Sequence, residues 1–149
     1  MKRDLILRHE FVEYIPKELQ DGIIYVSVAF ATVAHKCCCG CGNEVITPLS
    51  PADWKLTFDG ESISLDPSIG NWSFACQSHY WIKRNRVRWA HRLSLKEVEA
   101  GRAYDRLARA RYFDGSSTLT TSDTVATVRS PEDRKLNENL WQRIKNWAF

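Results

Sequence analysis

The sequence predicts an α+β fold: a small, mostly antiparallel β domain organised around a zinc site and followed by two C-terminal helices. Short stretches of alternating or β-branched residues recur between residues 5 and 90, which is typical of strands. Four of the five cysteines lie within residues 37–41, and the fifth, Cys76, is followed by a histidine, His79. Helical spacing of apolar residues appears only after residue 93.

Composition places the chain among single-domain globular proteins. It has 149 residues, of which 44% are hydrophobic and 26% charged, and a net charge of +3. That charge is too small to indicate a nucleic-acid partner by itself. No apolar run approaches the roughly 18 residues of a membrane span, and the N-terminus lacks the pattern of a signal peptide. We therefore expect a cytoplasmic protein without membrane contact, in which clustered cysteines bind metal rather than form disulfides.

The strand signals follow one another along the first part of the chain. The clearest is a hairpin in which two alternating segments flank Asp59-Gly60. The glycine-containing cysteine stretch and residues 67–71 are predicted as loops. In chain order the predicted strands cover residues 5–7, 11–15, 23–30, 44–47, 54–58, 62–65 and 72–74, and two more flank Arg84-Asn85 between residues 79 and 90.

The C-terminal third predicts helices. Ser94 and Glu97 have the spacing of a capping box and open a packing helix over residues 94–113, after a zinc-binding β domain over residues 1–93. The Ser/Thr-rich residues 114–130 are predicted to be a flexible linker. Residues 131–149 predict an amphipathic helix, which either packs on its own domain or binds a partner. Its apolar stripe consists of Leu136, Leu140, Ile144 and Trp147.

The cysteines and one histidine predict a zinc site. Zinc takes four ligands, and structural sites often combine a short cysteine cluster with a second pair far along the chain. If the first cluster is extended, Cys38 points away from its neighbours and is the least suited of them to bind. Buried free thiols are the alternative. The candidate ligands are Cys37, Cys39, Cys41, Cys76 and His79, and the sequence leaves open which four bind.

Three further residues are candidates for catalysis at the metal. Glu44 follows Cys41 by three residues and could act as a base for metal-bound water, while Ser78 and His35 flank the two cysteine motifs. Each has a simpler interpretation. Glu44 could be a solvated strand end, Ser78 could bond a main-chain amide in a turn, and His35 could be a core histidine.

A basic run over residues 83–92 contains five Lys/Arg and a tryptophan. Such a run could contact nucleic acid. Because Val87 and Trp89 alternate with Arg86 and Arg88, it is more typical of the solvated face of a hairpin. A nucleic-acid partner is therefore not expected.

Four motifs resemble those of a family of small bacterial proteins of unknown function: Cys37-x-Cys39-Gly40-Cys41-Gly42, Pro67-Ser68, Cys76-x-Ser78-His79 and Arg86-Val87-x-Trp89. The resemblance covers about residues 23–92. The family's usual motif reads C-P-C-G-C-G followed by C-x-S-H, so this chain departs from it at Cys38. Members are encoded beside ubiquitin-like proteins and homologues of their activating and conjugating enzymes. The resemblance implies a peptidase that matures or removes the modifier, with the modifier and possibly those enzymes as partners.

Three functions are compatible with these residues. We expect first a zinc-dependent peptidase acting on a ubiquitin-like modifier, in which Glu44 moves the proton of a metal-activated water. The second is a non-enzymatic zinc module that binds the modifier or its conjugating enzymes. The third is a cysteine peptidase that uses one thiolate of the cluster with His35 or His79 as its base.

Overall fold

The computed structural model describes residues 4–115. They form a five-stranded sheet in the order β1-β9-β8-β7-β6 and a four-stranded sheet in the order β2-β3-β4-β5. Every strand pairing in this part of the chain is antiparallel except β2–β3, so the predicted mostly antiparallel domain is confirmed. The elements are β1 (Leu5–Ile6), β2 (Arg8–Phe11), β3 (Ile23–Ser27), β4 (Thr32–Lys36), β5 (Glu44–Pro48), β6 (Lys55–Phe58), β7 (Ile63–Gly70), β8 (His79–Lys83), β9 (Arg86–Trp89) and α1 (Leu95–Gly115).

One hydrophobic core joins the two sheets. Apolar side chains from both sheets pack in a single cluster, as expected when each sheet buries one face. A second, smaller cluster covers the opposite face of the four-stranded sheet, which explains why every residue of β3 is buried. The main cluster contains Leu7, Ile24, Val26, Val33, Cys37, Val45, Ile63, Leu65, Ile69, Tyr80, Ile82 and Val87.

The predicted central strand over residues 23–30 is wrong in its second half. β3 ends at Ser27, the chain turns, and β4 returns as its antiparallel neighbour. The turn lacks a glycine or proline signal; the Ser27 hydroxyl bonds Glu13 O at 2.6 Å and accepts the Phe30 N–H at 3.4 Å. Ala31 adopts a left-handed φ of 46° that its residue type does not indicate. The unpredicted β4 leads directly into the cysteine stretch.

β7 contains a bulge opposite β8. Its Leu65 pairs with Ile82 and its Ile69 pairs with Tyr80, so β7 advances four residues where β8 advances two. Two extra residues of β7 are therefore pushed out of the ladder, and Pro67 and Ser68 lie in this segment. The loop predicted over residues 67–71 is therefore wrong for residues 67–70, which belong to β7. Proline cannot donate to a ladder, but a bulge accommodates it within a strand. Bulges of this kind often re-aim a side chain beside a functional site.

The helix α1 begins at the predicted capping box. The Ser94 N–H donates to the Glu97 carboxylate at 2.8 Å, and the Glu97 N–H donates to Ser94 Oγ at 3.3 Å. Val98 is its buried residue, and Arg109 Nε donates to Asp53 at 2.6 Å, so the helix contacts the β domain at more than one point. Within residues 4–115 no helix combines the length and apolarity needed to cross a membrane.

Two predicted segments lie largely or wholly outside the described residues. They are the linker over residues 114–130, apart from its first two residues in α1, and the amphipathic helix over residues 131–149. One C-terminal helix is therefore confirmed, and the second stays a prediction.

Candidate catalytic site and metal centre

Ser68 and His79 form a hydrogen-bonded pair on the five-stranded sheet. Ser68 lies in the bulge of β7, and His79 is the first residue of the neighbouring β8. Ser68 Oγ is 2.9 Å from His79 Nε2, and both residues are half-buried. The bulge thus places a hydroxyl against an imidazole.

The second ring nitrogen fixes the tautomer of His79. Its Nδ1 lies 2.7 Å from the main-chain carbonyl oxygen of His91. A carbonyl oxygen can only accept, so we assign the proton of the neutral ring to Nδ1. Nε2 then presents its lone pair to the Ser68 hydroxyl, as a general base must.

Two tryptophan rings lie beside the His79 imidazole. The ring centroid of Trp72 is 5.0 Å from that of His79, and the centroid of Trp81 is 5.8 Å away. Trp72 can approach because Gly70, which pairs with His79 across the sheet, has no side chain. A Cβ added at Gly70 would lie 2.3 Å from Trp72 Nε1. The glycine therefore makes room for the indole that holds the imidazole in place.

Replacing Gly70 with alanine should displace the Trp72 indole and loosen His79. We expect the rate of any reaction that uses the Ser68–His79 pair to fall by about 10²-fold, the scale on which small misplacements of catalytic groups act. Gly101→Ala is the matched control, because nothing lies within 4 Å of its added Cβ. In a Trp72→Ala background, where the clash is gone, Gly70→Ala should cost much less. Unchanged kcat/KM for the single variant would contradict the role given to Gly70.

Four cysteines from the two predicted motifs meet at one end of the domain. The sulfur atoms of Cys37, Cys39, Cys41 and Cys76 all lie within 4.8 Å of one another. Gly40, with a φ of 88°, turns the chain between Cys39 and Cys41, and Gly42, with a φ of 83°, turns it directly after Cys41. The Cys37 N–H donates to Asn43 O at 2.8 Å and closes this loop.

The spacing of the thiols fits a tetrahedral metal. Zinc bonds thiolate sulfur at about 2.3 Å, which places ligand sulfurs about 3.8 Å apart. The Sγ–Sγ distance is 3.9 Å for Cys37–Cys76, 3.8 Å for Cys41–Cys76 and 3.4 Å for Cys37–Cys39. Four cysteine sulfurs could therefore hold one metal ion, with every position of a tetrahedral shell taken by the protein.

Two residues of the predicted motifs lie outside this group of thiols: Cys38, which was not expected to bind the metal, and His79, which was a candidate ligand. Cys38 packs against the hydrophobic core, and burial raises the pKa of its thiol to about 12. Its sulfur is not one of the four that lie within 4.8 Å of one another, so Cys38 is not placed to share a metal with them. His79 was a candidate ligand, but Ser68 and the His91 carbonyl occupy its two ring nitrogens.

Ser78 connects the thiol group to the buried polar side chains of the domain. Its Oγ is 2.9 Å from Asn71 Nδ2, which donates to it, and 3.0 Å from Cys37 Sγ. Ser78 is itself buried. Although it directly precedes His79, it faces the interior rather than the imidazole, because successive residues point to opposite sides of the chain.

His35 and Glu44 lie in different environments. His35 is fully buried in β4, and its Nε2 is 2.8 Å from the Tyr80 hydroxyl. Burial lowers the pKa of His35 to about 4, so the ring is neutral at physiological pH. Its Nδ1 has no hydrogen-bond partner within residues 4–115. Glu44 is exposed at the start of β5, where it pairs with Lys36 in the ladder.

The fold and this site define a class of protein. A serine hydroxyl bonded to an imidazole whose far nitrogen is anchored is the arrangement used by serine hydrolases. Residues 11–90 match the model of the family described as bacterial ubiquitination-like system serine protease (BubE). This match spans more than half of the chain, which therefore belongs to that family. Comparison with curated proteins and with solved structures found no match.

The family confirms part of the sequence-based interpretation and corrects another part. The resemblance to a bacterial ubiquitin-like system is confirmed, and the family's protease description supports the expected peptidase role. The zinc-dependent mechanism is wrong, because the family consists of serine proteases. The geometry agrees with this correction, because a metal ion held by all four thiolates would have no open position for a reacting water. The two alternatives, a non-enzymatic zinc module and a cysteine peptidase, conflict with the same description.

Sequence reasoning missed Ser68. It was part of the Pro67-Ser68 motif, but Ser78 beside the histidine was chosen as the candidate serine instead. The helpful signal was Pro67, because a proline between strand-like segments indicates a bulge or an edge. A bulge disturbs the regular alternation of side chains along a strand, so the side chain of a serine in the bulge can point in a different direction from those of its neighbours.

Proposed function

We propose that the protein is a serine protease that cleaves the peptide or isopeptide bond at the end of a bacterial ubiquitin-like modifier. The distance of 2.9 Å between Ser68 Oγ and His79 Nε2 is the observation that carries this proposal. The family's description supports both the reaction class and the modifier as partner. The reaction would occur in the cytoplasm, where thiols stay reduced, in keeping with five free cysteines.

The pair carries out the reaction in two halves. In the first, Ser68 Oγ attacks the carbonyl carbon of the scissile bond while His79 Nε2 takes the hydroxyl proton. The tetrahedral intermediate then breaks its bond to the leaving amine, which receives that proton from His79. The carboxyl side of the substrate remains as an ester on Ser68.

The second half releases the acyl group with the same residues. His79 Nε2 takes a proton from water, the resulting hydroxide attacks the ester carbonyl, and the Ser68 oxygen leaves with the proton from His79. The His91 carbonyl stabilises the ring whenever it carries two protons, because its oxygen faces the Nδ1–H. The two tryptophan rings limit how far the imidazole can turn.

We further propose that the four cysteines hold a structural Zn²⁺. Soft thiolate ligands and a tetrahedral spacing favour zinc over harder cations. Cys76 lies three residues before His79, so its ligation fixes the loop that leads into β8. The ion would stabilise the fold without taking part in the reaction.

A serine-directed fluorophosphonate should label the protein at Ser68. This reagent forms a stable phosphonyl ester only with a serine that a base has activated. Peptide mass mapping should place the adduct on Ser68, and Ser68→Ala should abolish it. A thiol-directed suicide probe should leave the metallated protein active. An adduct on a cysteine, or full activity after quantitative labelling elsewhere, would overturn the assignment.

A further inference from the structure

We propose that an extended stretch of the substrate's main chain binds as an added strand at the free edge of β7, beside Ser68 and Gly70. This inference rests on the proposed function and specifies how the same site holds its substrate. The occupant is the flexible segment that contains the scissile bond, since only an unpaired main chain can join a sheet edge.

The edge is free because β7 is longer than β6. The β6–β7 ladder ends where Lys55 pairs with Asp66, and β7 continues to Gly70. The residue before β6, Trp54, does not extend the ladder. Its N–H donates to Pro48 O at 3.2 Å, and its carbonyl oxygen accepts the Ser50 N–H at 3.3 Å. The last residues of β7 therefore have no strand neighbour on the β6 side within the described chain.

The pairing with β8 sets the direction of the Gly70 main-chain groups. The Asn71 N–H donates to Ser78 O at 2.8 Å, so the main-chain groups of Asn71 face β8. Ala90 N–H donates to His79 O at 2.8 Å, so His79 faces β9 rather than β7. In an antiparallel ladder these directions alternate, and Gly70 N–H and C=O therefore point away from β8, toward the free edge.

This edge runs beside the catalytic pair. Gly70 pairs with His79 across the sheet, and Ser68 precedes Gly70 by two residues. All three residues therefore lie close to the free end of β7. A peptide that hydrogen-bonds Gly70 would bring one of its neighbouring carbonyl groups to Ser68 Oγ.

Hydrogen exchange at Gly70 tests the inference directly. The probe is full-length Ser68→Ala protein saturated with the uncut precursor of the ubiquitin-like modifier from the same system. Exchange of the Gly70 amide, measured by NMR, should slow by about tenfold or more on binding, the scale of one new hydrogen bond. The Ile69 amide, which already faces β8, and the Gly60 amide in the distant hairpin turn should not change.

Substrate analogues provide a second measurement. Peptides that carry a single N-methyl group at successive positions near the scissile bond should lose kcat/KM by about tenfold at alternate positions only, because alternate residues of an added strand face its neighbour. If the precursor saturates the protein and exchange of the Gly70 amide does not change, the added strand is ruled out. Equal losses of kcat/KM for N-methyl groups at every position of the peptide would also rule it out. Failure of the proposed function is a separate result: the Ser68→Ala protein would then still cleave the precursor.

Discussion

The Ser68→Ala variant should lose proteolytic activity by about 10⁴-fold or more while keeping its fold and the proposed metal. Losses of this size follow removal of the nucleophile in serine proteases, because every later step depends on the acyl ester. Ser68 is half-buried in a bulge and makes its one side-chain hydrogen bond within the described residues to His79. Its hydroxyl therefore contributes little to stability. Activity on the modifier precursor and thermal unfolding are the two measurements.

Ser78→Ala is the matched control for this prediction. Ser78 is the other serine of the motifs, and its removal leaves Asn71 Nδ2 without its 2.9 Å acceptor inside the protein. We expect a loss of about 1–3 kcal/mol in the free energy of unfolding. Cleavage by the molecules that remain folded should stay within a few-fold of the parent. The reverse pattern, with Ser78→Ala inactive and Ser68→Ala active, would move the nucleophile to Ser78.

Cys39→Ala should release the metal and lower the unfolding temperature by about 10 °C or more. Metal binding by thiolates is coupled to folding, and structural zinc sites contribute on the order of 10 kcal/mol or more. Cys39 is exposed, so its replacement removes little hydrophobic contact and the loss should come from the metal. Metal content per chain and thermal unfolding with and without a chelator measure the effect.

Cys38→Ala is the neighbouring control for the metal. Cys38 lies outside the group of four thiols and contacts the core instead. This variant should keep its metal and lose only about 1 kcal/mol, the scale of a small core truncation. If Cys39→Ala kept a full complement of metal while Cys38→Ala lost it, the proposed ligand set would be incorrect.

Local patterns in the sequence were sufficient for much of the fold. Strict alternation about Asp59-Gly60 predicted the β6–β7 hairpin, and Arg84-Asn85 marked the turn between β8 and β9. At that turn both residues adopt positive φ, 50° and 63°. The capping box at Ser94 correctly marked the start of α1. In each case the deciding interactions lie within a few residues of one another, where sequence reasoning is strongest.

The prediction errors arose where the structure depends on contacts between residues that are far apart in the sequence. The β3–β4 turn depends on the Ser27 hydroxyl bonding Glu13, a residue from a separate segment of the chain. The Ser68–His79 contact depends on how far β7 slips against β8, and periodicity does not specify a bulge. The metal-binding group was anticipated from the spacing of the cysteines and histidine, but the sequence left open which four of its five candidate ligands come together.

The Ser68–His79 pair and the proposed metal site differ in the length of the loop between the residues that they bring together. Ser68 and His79 are eleven residues apart, whereas Cys41 and Cys76, which would share the metal, are 35 apart and enclose Ser68. Loop-closure entropy grows with length, so the proposed metal opposes the larger loss of chain freedom. Scarcity of the metal would then reduce the number of molecules competent to cleave, while each remaining molecule kept its full turnover rate. Metal supply would thus control the dose of enzyme in the cell and leave its kinetic constants unchanged.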